Sequence, residues 1–367
     1  MITSDLFIAG GGPAGLVAAI AARRKGLDVV VADGAQPEID KSCGEGLMPD
    51  ALATLAELGI ELDACAGQPF YGIRFLGRDS SVEACFPKGV GLGMRRTVMH
   101  GALVRAAERV GVRLLWNSPV TALGQELLKV GDETVCSRYI AGADGGNSSL
   151  RRWAGLDARV SEGLRFGFRR HYRVGQWTDH VEVHWSSGCQ IYVTPIAPDV
   201  VCVASLARVA DLRLDQALPR FPELERRLRG AEAVTTERGG VSASRHLRRV
   251  TRGNVALIGD ASGSLDAVTG EGMCLAFRQA VALGDALALD RLDSYQSAHA
   301  RIRRGPALMA DLLLLLDRRD SLRGRVLAAL ESRPAVFADM LATHVGEWKP
   351  LGMVWPLVSL GWGLLTV

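Results

Sequence analysis

The opening 33 residues leave this chain few folds to choose from. The segment DLFIAGGGPAGLVAAIAARRKGLDVVVAD (residues 5–33) begins with an apolar run, Leu6 to Ala9, and passes through Gly10, Gly12 and Gly15. An alanine-rich stretch follows, then a second apolar run that ends at Asp33. A short apolar run bounded by glycines reads as a strand buried on both faces, as in parallel sheets. In G-x-G-x-x-G the first glycine makes the tight turn and the second lets a pyrophosphate approach the backbone. The third lets helix pack on strand. Pro13 and Ala14 lead into a helix, Ala14 to Arg24. Its free N–H groups and positive dipole end suit an anion. Asp33, about 20 residues on, is placed to hold ribose hydroxyls. Together these features specify a dinucleotide site, but they do not separate NAD from FAD.

Two distant segments repeat the theme. SRYIAGADGGNSSLRRWAGL puts Asp144 and Gly145 after an apolar strand. NVALIGDASGSLDAVTGEGMCLAFRQAVAL puts Gly259 and Asp260 after another, with Gly270 and Gly272 before a helix. Both aspartates stand at the C-terminal end of an expected parallel strand, where open α/β sheets bind ligands. A carboxylate there only accepts hydrogen bonds, which suits a polyol chain. Gly270 and Gly272 let a turn bring N–H groups against a flat ring edge. Three such sites along one sheet serve an extended ligand. No second G-x-G-x-x-G exists, since GVGLGM (residues 89–94) has the wrong spacing. A nicotinamide reductant must therefore dock transiently, or electrons must come from a partner reductase.

From Leu164 to Val250 the pattern changes to alternation. RFGFRRHYRV, HVEVHW, QIYVTPIAP and VVCVASLA read as antiparallel strands with one covered face. FYGIRFLG and SVEACFP (residues 70–77 and 81–87) are expected in the same sheet. His180, Glu182 and His184 share one strand face, but alternate residues sit about 7 Å apart, too far for all three to reach one ion easily. That face is expected to be solvated, and no metal is expected. The arginines at 245, 248, 249 and 252 are expected to cap elements or face solvent, with a docking patch for a nicotinamide phosphate as the alternative. Past Asp293 the chain is helical and leucine-rich. Core packing against the dinucleotide-binding domain is expected there, with a greasy substrate wall or a membrane-facing surface as alternatives.

A length of 367 residues implies two domains, and 48% apolar with 23% charged residues is a globular balance. The formal charge of +3 carries no nucleic-acid footprint. Seven scattered cysteines without a C-x-x-C pair imply reduced thiols in a cytoplasmic protein. The N-terminus enters a strand almost at once, unlike a secretory signal. The last 18 residues, PLGMVWPLVSLGWGLLTV, carry no charge. They fall short of the ~20 residues a span needs, and Gly352, Pro356, Gly361 and Gly363 interrupt them. This tail is expected to pack on the protein's own surface, with peripheral membrane contact as the alternative.

The motifs together resemble one family. G10-G-G-P-A-G15, the R-x-x-x-x-x-x-L run from Arg96 to Leu103, G142-A-D-G145 with S148-S-L-R151, and G259-D-A with G270-E-G-M273 are similar to flavoproteins of the para-hydroxybenzoate hydroxylase class. The geranylgeranyl reductases are close relatives of that class. The likeness covers about the first 300 residues. It implies an α/β fold: a Rossmann-like, glutathione-reductase-type FAD-binding domain (residues 1–68, 95–160 and 251–305). Into it is inserted an antiparallel β-sheet substrate domain (69–94 and 161–250), and a C-terminal helical region (306–367) follows.

The resemblance implies that Gly10, Gly12 and Gly15 cradle the FAD pyrophosphate and that Asp33 binds the adenosine ribose. Arg96 would contact the phosphate or ribityl region, and the backbone around Val120 the adenine. Asp144 and Gly145 would serve FAD and NAD(P)H. Asp260, after Gly259, would hold the ribityl chain, while Gly272 and Met273 would give amides to the isoalloxazine edge. Asp33 departs from the usual glutamate, and Ser262 and Gly263 stand where many hydroxylases carry histidine.

The loop KSCGEGLMP (residues 41–49) is expected beside the flavin. K-x-C-G-x-G resembles the geranylgeranyl reductases, yet their Y-x-W-x-F-P element is missing. Only Tyr192 and Pro195 of it remain. The paired tryptophans of the flavin halogenases are absent too. Cys43 is read first as a small packing residue and second as a redox or substrate contact. Glu45 is read first as a loop anchor and second as a proton donor. His171, Arg169 and Tyr192 are the other candidate polar groups of a substrate pocket. The expected activity is NAD(P)H- and oxygen-dependent hydroxylation of an aromatic or lipophilic molecule, such as a polyketide or phenolic lipid. The alternatives are reduction of isoprenoid double bonds and FAD binding without turnover.

Overall fold

The computed structural model describes residues 1–124, 127–156 and 159–346; the charge-free tail lies outside the described residues. Five strands run parallel, in the spatial order Val255–Leu257, Glu133–Gly142, Ile2–Ala9, Val29–Ala32 and Arg113–Leu115. A short antiparallel strand, Thr251–Arg252, edges them, and a meander of Val120–Leu123 and Leu127–Val130 extends from Glu133–Gly142. Helices Pro13–Arg24, Arg96–Arg109 and Gly272–Ala288 pack together beside the sheet. Residues Val29 to Ala32 are buried on both faces, which is why this strand shows no polar alternation.

The register places the ligand-binding ends. Ala9 lies level with Ala32 on one side and Gly142 on the other, and Gly142 lies level with Leu257. Four strands therefore stop in one row, roughly 14 Å across at ~4.8 Å per strand.

The second sheet has eight strands. Its order is Glu232–Ala233, Arg159–Arg173, Val200–Ala207, Cys189–Ala197, His180–Ser186, Gly72–Leu76 and Ser81–Cys85, and Arg238–His246 also pairs with Arg159–Arg173. All neighbours are antiparallel except His180–Ser186 and Gly72–Leu76. The pieces at 70–77 and 81–87 thus join this sheet as expected.

One expectation for this sheet is overturned. His180, Glu182 and His184 are 6%, 1% and 6% exposed, so HVEVHW has no solvated face. Two short helices, Leu214–Ala217 and Pro222–Leu228, belong to the segment that covers the sheet there, and Phe221 meets His184 edge to face at 6.2 Å. Burial is possible because Glu182 is paired on the spot. Its Oε2 accepts from Trp177 Nε1 at 3.1 Å and bonds His184 Nε2 at 3.0 Å, while Oε1 faces Arg74 Nη1 at 3.4 Å.

Leu292–Arg318 is a single 27-residue helix containing Pro306, so the boundary expected after residue 305 falls inside it. It packs on Gly272–Ala288, as expected. Beyond Pro306 the structure departs from that expectation. Asp320–Glu331 and Pro334–Val345 turn onto Ser81–Cys85 of the second sheet. Phe75 holds Phe337 at 5.2 Å and Trp185 at 5.8 Å between ring centroids, and Arg323 lies over Trp185. Aromatic pairs of this kind add about 0.5–1.5 kcal/mol beyond area burial. A buried ion cluster fastens the same junction. Asp317 accepts from Arg165 Nη2 at 2.8 Å, Arg208 Nε at 3.0 Å and Gln190 Nε2 at 3.1 Å, while Arg165 Nε also reaches Asp266 at 3.3 Å.

Candidate functional site

A cavity of about 1210 Å³ crosses the row of strand ends and continues under the C-terminal helices. Its polar half is lined by Gly10, Gly12, Pro13 and Ala14 from the first turn, and by Asp33, Arg96 and Val120 on one side. Asp144, Gly145, Gly259 and Asp260 line the other side, with Gly270, Gly272 and Met273 beyond them. The structure therefore brings the residues selected for cofactor binding onto one surface, with one exception. Gly15 stays off the wall: a Cβ there would stand 1.9 Å from the Gly10 carbonyl oxygen, so Gly15 serves close helix–strand packing. Gly12, Gly145 and Gly272 are different. Among the described residues, a Cβ added at any of them meets nothing within 4 Å, so these glycines hold volume open in the groove.

The charged groups are arranged for an anionic polyol. Arg96 Nε is buried with no hydrogen-bond partner among the described residues, a donor left for an anion entering the groove. Asp33 accepts from the Gly11 and Ala35 amides at 2.7 and 2.8 Å, which fixes its carboxylate at the end of Val29–Ala32. Asp144 accepts from the Ser149 and Leu150 amides, anchoring the start of helix Ser149–Trp153. Arg151 is fully buried and donates to the Gly146 and Ala261 carbonyls at 2.8 and 3.1 Å. It thereby ties the Asp144 turn to the Asp260 turn, a role the sequence alone leaves unread. Asp260 faces Lys41 across the groove at 3.3 Å.

The loop that carries Lys41 forms one rim. Cys43 lines the cavity; its sulfur accepts from the Glu45 amide at 3.4 Å, and its carbonyl accepts from the Cys202 thiol at 3.7 Å. Glu45 adopts a left-handed φ of 59°, unusual for a residue with a Cβ. Its carboxylate holds that shape. Oε1 accepts from the Arg96 amide at 3.1 Å, at the positive end of Arg96–Arg109, and Oε2 bonds His171 Nε2 at 2.6 Å. Glu45 lines the cavity but is engaged as a loop anchor, the first of its two expected roles.

His171 and Arg169 are corrected by this arrangement. Both are buried behind Glu45 and neither lines the cavity. His171 Nδ1 bonds Thr235 Oγ1 at 3.0 Å, and Arg169 pairs with Asp40. They brace the loop from behind because strand Arg159–Arg173 points these alternate side chains at it. Glu45, His171 and Cys202 bring ligand atoms within 4.8 Å of one another. A cation there would meet the Arg169 guanidinium, whose Nε is 3.9 Å from Glu45 Oε1, and a thiol that burial pushes well above its usual range. The cluster is a clamp. Tyr192 does line the cavity, donating to the Val268 carbonyl at 3.0 Å.

The other half of the cavity is an apolar arm. Ile73, Phe75, Val181, Val183 and Trp185 line it from the sheet, and Leu312, Leu316, Leu327, Leu330, Phe337 and Met340 from the C-terminal helices. His344 and Asp266 are among the few polar residues on its wall. Among the described residues no helix is long and apolar enough to cross a membrane.

Comparison with known proteins agrees with this geometry. A menaquinone reductase of Mycobacterium tuberculosis is 28% identical over 343 residues, spanning 84% of this chain and 80% of its own. The solved structure of a 2-methyl-3-hydroxypyridine-5-carboxylic acid oxygenase matches with a TM-score of 0.73 and 26% identity, over 87% of this chain and 93% of that one. A flavin-dependent brominase shares the fold over 98% of both chains, with a TM-score of 0.84 at 20% identity. Residues 3–300 match the family model described as FAD binding domain, a stretch that contains every groove residue named above. The chain belongs to the FAD binding domain family and is an FAD-dependent oxidoreductase.

Proposed function

We propose that this oxidoreductase hydroxylates an aromatic or otherwise lipophilic small molecule, such as a polyketide or phenolic lipid, with molecular oxygen and electrons from NAD(P)H. One observation carries the reading: groove and arm are a single cavity, polar along the strand ends and apolar from Phe75 to Met340. Such a chamber takes a flavin at one end and a greasy substrate at the other while excluding water. The bound flavin supplies the electron transfer and oxygen chemistry. The chain's own residues do the rest. Gly12 and Arg96 would receive the diphosphate, Asp33 and Asp260 would accept from the sugar and ribityl hydroxyls, and Gly272 and Met273 would offer amides to the ring. The sheet and the three C-terminal helices keep the arm dry, and Tyr192 offers a hydroxyl on its wall.

A second reading, reduction of an isoprenoid double bond, is favoured by Cys43 on the cavity wall and by a digeranylgeranylglycerophospholipid reductase of Methanosphaera stadtmanae, 25% identical over 313 residues. Oxygen uptake separates the two. With alkyl phenols or prenyl quinones as substrates, hydroxylation predicts one oxygen molecule consumed for each NAD(P)H oxidised. Substrate-dependent NAD(P)H oxidation without oxygen uptake overturns the first reading in favour of the second. Electron delivery by a separate reductase predicts that turnover needs that protein, whatever nicotinamide is added.

Two substitutions probe the groove and the rim. Asp260→Ala is expected to weaken FAD binding at least tenfold, measured by flavin fluorescence titration; an unchanged affinity would remove Asp260 from the binding set. Cys43→Ser is expected to leave FAD content intact and turnover within about tenfold, or ~1.4 kcal/mol in barrier. A much larger loss of turnover would make the thiol a chemical participant.

A further inference from the structure

Of the turn Gly270 to Met273, every residue but Glu271 lines the cavity. Glu271 turns its carboxyl into the protein, where it is 4% exposed and Oε2 has no hydrogen-bond partner among the described residues. His344 of helix Pro334–Val345 stands next to it. Its Nδ1 is 3.6 Å from Glu271 Oε2, its ring is hydrogen-bonded to the Thr269 backbone, and the residue lines the cavity. Among the described residues, the other charged or titratable groups around the pair are Asp50 on helix Pro49–Glu57 and Cys274 and Arg278 on helix Gly272–Ala288. Asp50 Oδ1 accepts from the Cys274 thiol at 3.3 Å. Buried polar atoms are almost always paired, so an orphaned carboxyl oxygen beside a cavity-lining imidazole calls for a use.

Burial, helped by the Asp50 carboxylate and opposed by Arg278, raises Glu271 from 4.5 to about 8. Burial also lowers His344, against the pull of Asp50 and the Thr269 backbone. Near pH 7 the pair is thus a protonated carboxyl beside a neutral imidazole, the protonation state of a loaded donor.

We propose that Glu271 and His344 form the proton donor of the cavity, the Glu271 carboxyl passing its proton through the His344 ring to the reacting atom: the oxygen that leaves as water in hydroxylation, or a substrate carbon in double-bond reduction. The inference rests on the proposed function only in requiring that a substrate reacts in this cavity. Both chemistries weighed above need the proton. Hydroxylation consumes one oxygen molecule, one hydride from NAD(P)H and one proton, and leaves a substrate hydroxyl and one water. Double-bond reduction consumes the same hydride and one proton, placed on the two carbons. Each transfer leaves a Glu271 carboxylate and a neutral His344, and solvent reprotonates the carboxylate before the next turnover. The separation of 3.6 Å exceeds a direct hydrogen bond by roughly 0.6 Å. Catalytic contacts commonly tighten to that extent once substrate is bound.

The test uses the whole protein, with and without FAD, and compares it with Glu271→Gln and His344→Asn. Infrared difference spectra at pH 7 are expected to show a protonated-carboxyl band in the wild type that Glu271→Gln removes, in both flavin states. The sign of the stability effect follows from the raised value. The folded state keeps a proton that the unfolded chain releases above 4.5, so wild-type Tm falls from about pH 5 to about 8 more steeply than that of Glu271→Gln. In turnover, kcat at pH 7 is expected to drop at least tenfold in both variants with FAD content unchanged, and the wild-type decline above about pH 8 disappears in Glu271→Gln. Loss of no such band on substitution, or a wild-type pH–rate profile in Glu271→Gln, overturns the proposal. Oxygen uptake that fails while reduction proceeds overturns the hydroxylase reading and leaves this donor standing.

Discussion

Gly12→Leu is expected to abolish FAD binding while leaving the protein folded. The position has an ordinary φ of −71° and caps helix Pro13–Arg24, so a side chain strains no backbone. Among the described residues a Cβ there touches nothing within 4 Å, because the space it enters is the open groove. A leucine would fill the volume meant for the diphosphate, beside the N–H groups that should hold it. Affinity should fall at least 100-fold, or about 2.7 kcal/mol, with the apoprotein's Tm within a few degrees of wild type. Gly15→Ala is the contrasting control. Its Cβ would run into the Gly10 carbonyl at 1.9 Å, so the expected failure is of folding, seen in Tm before any FAD is added. If Gly12→Leu binds FAD as wild type does, the diphosphate lies elsewhere.

Asp317→Ala is expected to lower unfolding free energy by about 3–5 kcal/mol, since removing one partner strands buried charges. Asp317 is 2% exposed and answers Arg165, Arg208 and Gln190 at once. Arg165 is itself 3% exposed and, among the described residues, would keep only Asp266 as a partner. The carboxylate sits near the end of Leu292–Arg318, where that helix leaves the FAD-binding half and meets the second sheet. Its loss should therefore loosen the apolar arm more than the groove. Chemical denaturation measures the first effect. Substrate KM rising by more than the FAD dissociation constant measures the second. A change below about 1 kcal/mol would mean that water replaces the lost carboxylate and that the cluster is not tightly closed.

The groove was legible in the sequence because its determinants are local. Each strand end announces itself by an apolar run followed at once by glycine and aspartate, and the level register of Ala9, Ala32, Gly142 and Leu257 aligns them without further instruction. What stayed hidden depends on partners far away in the chain. HVEVHW looks half-wet until the segment carrying Phe221 folds over it. Leucine periodicity places the C-terminal helices against something apolar, but the choice between the FAD-binding domain and the cavity wall is made by Asp317 with Arg165 and Phe337 with Phe75. Strand alternation put Arg169 and His171 on one face and could not say that Glu45 would stand between them and the cavity. Glu271 was visible only as the middle of a glycine pair, and His344 only as a late helical residue; neither sequence neighbourhood points to the other.

Reconstitution with FAD is the most direct measurement of all. The protein, stripped of any cofactor and titrated with FAD, is expected to take up one flavin per chain, with the bound flavin's absorption shifted and its fluorescence quenched. Titration to saturation with no bound flavin, or binding that Gly12→Leu and Asp260→Ala leave untouched, would contradict a groove built across these four strand ends.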